Sequence, residues 1–350
     1  MVAGADASLF PTARAVINVT TLADSGAGSL RAALAKTGSR DIRFTVSGVI
    51  RPLTRLVVNP GDVRIQGETS PLGITIKGQT IEIKRALVKI SHIAFRAGAA
   101  PAGQADNWDG FAITGSLDSS RDMGHIIIDH CSMIGGTDEV FQLWGTRIHN
   151  LTISNSIIAE GLNNAGHSKG AHSMGLLVGT DVENVLIYRT LFMSNNWRNP
   201  VLHGNSSTAL INNLIYNPGK QALHVYDTTD APGPTLISAV KNRVIAGPNT
   251  PPYMRMCNDS YSANVGSQIY LDGNVTEGAT ATWNYAEVAN LARVYTPPVA
   301  WPAGLDICDA DDLEALIATN VGPMRRDATD LRLLAELAAR TGSIKNSPVE

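Results

Sequence analysis

Cysteine is scarce and scattered. Only Cys131, Cys257 and Cys308 occur in 350 residues, with no C-x-x-C pair and no even framework, which excludes a zinc ribbon or a disulfide scaffold. A single Cys257–Cys308 bridge is the one pairing worth considering. Aromatic residues make up only 5% of the chain, so its core is expected to rest on small and β-branched side chains. No apolar run approaches the ~18 residues that span a bilayer. The N-terminus has neither a charged leader nor an apolar segment, which reads as a mature chain with an added start Met or as a protein that is not exported. An excess of basic residues is also missing. The net charge of −3 argues against a nucleic-acid binder, although local basic patches for an acidic substrate stay open.

What the chain does contain is glycine (32 residues) and a 44% hydrophobic content, enough for a large core and, by length alone, for two domains. The opening Val16–Val19 reads as a strand, followed by a glycine turn and a short helix with Ser29 as N-cap. Ile42–Val46 and Val63–Gly67 alternate as half-buried strands. From Val88 onward a unit recurs in which a short apolar alternation meets a polar bend, often with Asn or His, and then a second apolar pair. Matching its third apolar position (Ile90, Ile128, Ile153, Ile187, Ile211, Val240 and Leu271) gives spacings of 24 to 38 residues. A period of that size with variable insertions marks a solenoid. Without helices between units, the solenoid is a single-domain all-β structure, a right-handed parallel β-helix. Asn155, Asn213 and Asn242 at the bend are suited to left-handed backbone and to bonding a neighbouring coil. A β-sandwich, with turns every 8–12 residues, fits the uneven spacing poorly. The reading divides the chain into an N-terminal cap and first strands (1–60), coils (61–280) and a loop with a helical tail (281–350). In that tail, 311–316 and 326–337 have helical spacing and are expected to pack outside the solenoid or over its open end.

Asn195–Gly204 closes one apolar run and opens the next. Pro200 fixes its own φ and biases Asn199 away from the α region, which predicts a stiff extended corner at Arg198. On composition alone Arg198 would be a surface ion-pair partner. With Asp129-His130-Cys131-Ser132, Thr137-Asp138-Glu139, Ala159-Glu160-Gly161-Leu162, His172-Ser173-Met174-Gly175 and Arg198-Asn199-Pro200 in one order along such a solenoid, the chain resembles the pectate lyase superfamily, family 1 of the polysaccharide lyases. The opening Val19–Arg31 and the closing Arg326–Asp330 are similar to bacterial members, so the resemblance covers nearly the whole chain.

The resemblance implies β-elimination on a uronic-acid polymer, pectate first, assisted by Ca²⁺. A base removes the C5 proton next to the carboxylate, the developing charge is neutralised, and the glycosidic oxygen leaves from C4. Arg198 matches the family's arginine base, although a guanidinium is by itself a poor one. Asp109 and Asp138 match calcium ligands, with Asn107 and Gln142 standing where the family has carboxylates, and Glu139 or Asp106 available to compensate. Met174 replaces a substrate-binding lysine, for which Lys169 is the candidate substitute. His203 replaces a second arginine, and His203 and His172 are expected to share carboxylate binding or proton transfer. Trp197 could stack on a sugar, whereas Trp144 reads as core. The resemblance also implies a secreted or periplasmic monomer with an acidic polysaccharide as partner and no nucleic acid or membrane. Two alternatives stay open: a lyase of the same fold acting on methyl-esterified pectin or another uronan with little need of calcium, and a carbohydrate-binding β-helix without catalysis.

Overall fold

The computed structural model describes residues 1–115, 122–226, 232–254, 256, 262–280 and 283–348. Cys257 lies outside them. Short strands of three to seven residues recur in a fixed order and pair in parallel with the coil before and the coil after. Among the described residues they build three walls: a long wall of eleven strands from Ala15–Val19 to Leu291–Val294, a nine-stranded wall from Gly48–Ile50 to Val275–Glu277, and a seven-stranded wall from Leu56–Val58 to His224–Tyr226. The fold is a parallel β-helix. Each described coil from 88 to 226 runs long wall, nine-stranded wall, seven-stranded wall. The repeat unit read from the sequence holds the first two walls, and the third was not foreseen.

Inward side chains stack coil on coil because parallel pairing repeats the same register. On the long wall Ile42, Ile65, Ile90, Ile128, Ile153 and Ile187 form one ladder, which continues through Leu210, Ala239 and Leu271. The sequence alignment of this ladder slips by one residue at Ile211 and Val240. Those two side chains point outward and are buried beneath Ala3 and Val299. With both faces of these strands apolar, the period-2 signal that sets register disappears.

The bend between the long and nine-stranded walls has two distinct positions. The first is left-handed, at His130, Asn155, Arg189, Asn212 and Lys241, with φ near +50°. The second carries a ladder of side chains: Asn213 Oδ1 accepts the Thr190 amide, Asn242 Oδ1 the Asn213 amide, and Asn274 Oδ1 the Asn242 amide, at 2.8–3.0 Å. Asn155 therefore serves the backbone turn, while Asn213 and Asn242 serve the ladder, two roles that the sequence reading merged.

Helix α1 (Leu30–Leu34), capped by Ser29, buries Leu30, Ala33 and Leu34 against the core of the first coils. Helices α2 (Leu313–Asn320) and α3 (Ala328–Ala339) lie on the outside of the nine-stranded wall, where Leu313, Ile317, Leu333 and Leu337 cover Ile157, Leu191 and Leu214. The Arg326–Asp330 stretch locks that attachment. Asp327 caps α3 and, with the fully buried Asp330, takes the guanidinium of Arg96 at 2.8 Å. Among the described residues, the outer face of the seven-stranded wall carries no such helix. No described helix is long and apolar enough to cross a membrane.

Candidate active site

The site lies on that uncovered wall. Its strands Phe111–Thr114, Glu139–Trp144, Met174–Val178, Val201–His203 and His224–Tyr226 turn Phe111, Phe141 and Leu176 inward. Gln142, Leu177, Val201 and His224 form the row beside them, facing out. The charged groups come mostly from the turns that enter these strands. The 137–139 turn is clipped to the coil below: the Thr137 and Asp138 amides donate to Trp108 O, and the Gly110 amide donates to Glu139 O. The approach is so close that a Cβ on Gly110 would stand 2.6 Å from Val140 O.

This clip gathers three carboxylates. One oxygen from each of Asp109, Asp138 and Glu139 falls within 4.8 Å of the others. The Glu139 amide donates to Asp109 Oδ1 at 3.3 Å, and Arg198 Nη1 is bonded to Glu139 Oε1. Arg198 does not sit on extended backbone. Its φ is +60°, so Pro200 holds the next turn without dictating the conformation two residues back, and the left-handed corner tips the guanidinium toward the cluster. Three acids share one cation here. Burial, then Glu139 and Asp138, hold Asp109 well above the usual carboxylate range. Burial raises Glu139 as well, but Arg198 opposes that rise, whereas Asp109 has no cation of its own to oppose it.

The remaining predicted residues fall around this point. Asn107, Asp138, Glu139, Gln142, Lys169, His172, Met174, Trp197, Arg198 and His203 all line one open groove of about 730 Å³, and Asp109 lies beneath it, buried. Asn107 and Lys169 are exposed at the rim. Glu139 opens a strand and is 2% exposed. Asp106 does not join the cluster. It accepts from the Ser168 amide and hydroxyl at 2.8 and 2.5 Å and faces His167. Trp144 is not core. It is 43% exposed beside the groove and meets His203 edge-on, with ring centroids 6.3 Å apart. Burial and the nearby Arg198 push His203 and His224 down to about 3, so both rings are neutral at ordinary pH. Two groove residues went unnoticed in the sequence, Lys220, whose ammonium lies 4.4 Å above the Trp197 ring, and His224, as did the buried His167, stacked on the groove residue His172. The His167-x₄-His172 spacing was the available signal for the last. Nothing local marks Lys220 or His224.

The carboxylates supply hard oxygen donors. Oxygens sharing one calcium at roughly 2.3–2.6 Å lie at most about 5 Å apart, so the spacing suits a hard divalent cation. A sheet-borne groove with acids, one central guanidinium and flanking lysines is suited to an anionic polymer chain. With the fold it defines a polysaccharide lyase of the parallel β-helix type.

The comparisons make that class specific. Probable pectate lyase C of Aspergillus flavus is 32% identical over 328 residues, 91% of this chain and 71% of the relative. The same-named protein of Aspergillus oryzae is equally similar over the same shares. The chain belongs to the pectate lyase family. No family model matches it. Among solved structures, the cedar pollen allergen jun a 1 superposes with a TM-score of 0.60 at 13% identity, covering 89% of this chain and 90% of that one. A Bacillus subtilis pectate lyase gives 0.59 at 14%, covering 89% and 92%. A Bacillus sp. N165 pectate lyase in complex with trigalacturonate gives 0.55 at 12%, covering 92% and 95%. At such identities these likenesses establish the fold.

Proposed function

We propose that the protein cleaves pectate by β-elimination, with Arg198 as the base and Asp109, Asp138 and Glu139 as the residues that hold calcium, assisted by the side-chain oxygens of Asn107 and Gln142. The observation that carries this reading is the single guanidinium bonded into a three-carboxylate cluster at the edge of an open groove. Calcium held there would neutralise the carboxylates and, by meeting the substrate's own carboxylate, acidify C5. Arg198, having first released a proton to solvent, accepts the C5 proton as a neutral guanidine. The C4–C5 double bond forms, the C4–O bond breaks, water protonates the leaving oxygen, and the hydroxide that remains takes the proton back from Arg198. The left-handed corner gives the guanidinium its approach, and burial of its Nε atom fixes the plane. Lys169, Lys220 and His172 receive carboxylates of neighbouring sugars, and Trp144 and Trp197 offer ring faces. His203 contributes a neutral ring, not the charge of an arginine. The polymer does not cross membranes, so the enzyme acts outside the cytoplasm. Coverage of the outer faces of the nine-stranded and long walls by the chain's own segments supports a monomer.

A second reading draws on the groove floor beyond Arg198. Met174, Leu177 and two neutral histidines make that stretch apolar, which favours esterified units there. Assaying EDTA-stripped enzyme on polygalacturonate and on methyl-esterified pectin, with and without Ca²⁺, by the ultraviolet absorbance of the unsaturated product decides. Calcium-dependent turnover of polygalacturonate, lost in Arg198→Ala, is expected. Turnover that survives Arg198→Ala, or a folded protein that binds and never cleaves, overturns the proposal. Preference for esterified pectin without calcium selects the second reading.

A further inference from the structure

Beside the carboxylate cluster the groove wall brings together a second set of donors of a different kind. His167 and His172 stack with ring centroids 3.5 Å apart and planes 20° from parallel. Both are buried, and both aim Nε2 at one oxygen of Asp138, at 3.4 and 3.3 Å. Those separations exceed a good N–H···O hydrogen bond. Nδ1 of His172 is buried without a hydrogen-bond partner. Two imidazoles thus converge with a carboxylate on one point, and the hydrogen bonding of the site does not account for the arrangement.

The donor set suits a tetrahedral ion. With metal–nitrogen and metal–oxygen bonds of roughly 2.0–2.2 Å, the edge between two ligands is about 3.3–3.5 Å, the separation of each Nε2 from Asp138 Oδ1, and a splay of the stacked rings brings both in-plane lone pairs onto the ion. The loop also holds an outer partner. Nδ1 of His167 accepts the Lys169 amide at 3.1 Å and lies 3.7 Å from Asp106 Oδ1. When Nε2 binds an ion the ring proton moves to Nδ1, which gives up the Lys169 amide and turns to Asp106, the nearby carboxylate, as its outer partner.

We infer that Asp138, His167 and His172 form a site for a divalent ion of the zinc class, separate from the hard-oxygen set, with its fourth position open to the groove. Imidazole nitrogens suit zinc, cobalt and nickel, and calcium takes oxygen. Because Asp138 belongs to both sets, an ion held by the histidines withdraws a ligand from calcium, and micromolar zinc would antagonise calcium-dependent cleavage. That consequence rests on the calcium reading above; the binding itself does not.

The experiment uses the full chain stripped with EDTA and titrated with Co²⁺, then with Zn²⁺ by calorimetry. One strongly absorbing, four-coordinate cobalt per chain is expected, displaced by Zn²⁺ and not by millimolar Ca²⁺. His167→Gln and His172→Gln should weaken it by more than the roughly 10–100-fold that losing an outer partner costs, with circular dichroism unchanged. His125→Gln, at a separate histidine pair, should leave it intact. A weak six-coordinate spectrum of the wild type, which needs no variant to fold, or the same titre in both glutamine variants, overturns the site. Zinc binding as described without relief of zinc inhibition in His167→Gln overturns the sharing of Asp138 with calcium and leaves the site standing.

Discussion

The long wall and the seven-stranded wall are made by the same coils and obey the same inward rule, yet they do different work. On the long wall a one-residue left-handed bend leads straight into the next strand, and the ladder from Ile42 to Leu271 is almost wholly aliphatic. On the seven-stranded wall the inward residues Phe111, Phe141 and Leu176 are just as buried, but turns of varied length precede each strand and deliver Asp109, Asp138, His172 and Arg198 to its outer edge. Stability is therefore concentrated in one wall and chemistry in the turns before another. The walls share a core and can be perturbed separately.

The sharpest way to test that separation is a pair of substitutions. Arg198→Lys keeps a cation beside buried Glu139, so the fold survives, while the planar group proposed as the base is lost. Turnover is expected to fall by about 10²–10⁴ with little change in melting temperature. Ile153→Ala, at the middle of the long-wall ladder and fully buried, should cost about 2–5 kcal/mol in urea unfolding and leave kcat of the folded enzyme unchanged. If Ile153→Ala lowers kcat as much as it lowers stability, the walls are not independent.

The same contrast explains what the sequence disclosed. Long-wall strands are long enough to alternate, so Ile90, Ile128, Ile153 and Ile187 could be aligned from the chain alone. The register failed at Ile211 and Val240 because the N-terminal and C-terminal segments bury the outer face too. Strands of the seven-stranded wall can be as short as three residues, too short for periodicity to register. Arg198, Asp109 and Asp138 were found through a family pattern of fixed local spacing. Lys220 and His224 were not, since their place in the groove depends on how the turn around Asn196–Pro200 in the preceding coil is folded. Trp144 was misread because its strand neighbours are core, while its own side of the pleat faces the groove.

Asp109 tests the electrostatics of the active wall more finely. A carboxyl whose proton affinity is raised by folding binds more protons in the native state than in the unfolded chain. Stability then declines as pH climbs from the ordinary carboxylate value toward the raised one. Asp109→Asn removes that liability. In EDTA the variant should melt higher than wild type at neutral pH, with the gap closing as pH falls toward 4. Calcium should raise the melting temperature of wild type and do so less in the variant. A gap that is independent of pH would mean that Asp109 is ionised in the native state and that the cluster is not short of cations.

Trp144 sets the smallest expected effect. Its ring stands outside the groove floor, and Gly179 lies in the coil between it and His203, where a Cβ would meet Leu143 O at 2.6 Å and the indole at 3.1 Å. The indole contributes apolar area and little to the reacting centre, so Trp144→Ala should raise KM by a factor of about 2–10, the worth of one aromatic contact of roughly 0.5–1.5 kcal/mol, with kcat nearly unchanged. Gly179→Ala should shift KM in the same direction by displacing the same ring without removing it, and should also lower the melting temperature, because its Cβ meets Leu143 O first. A fall in kcat in either variant would place Trp144 against the sugar that reacts and extend the chemistry from the turns onto the strands of the wall itself.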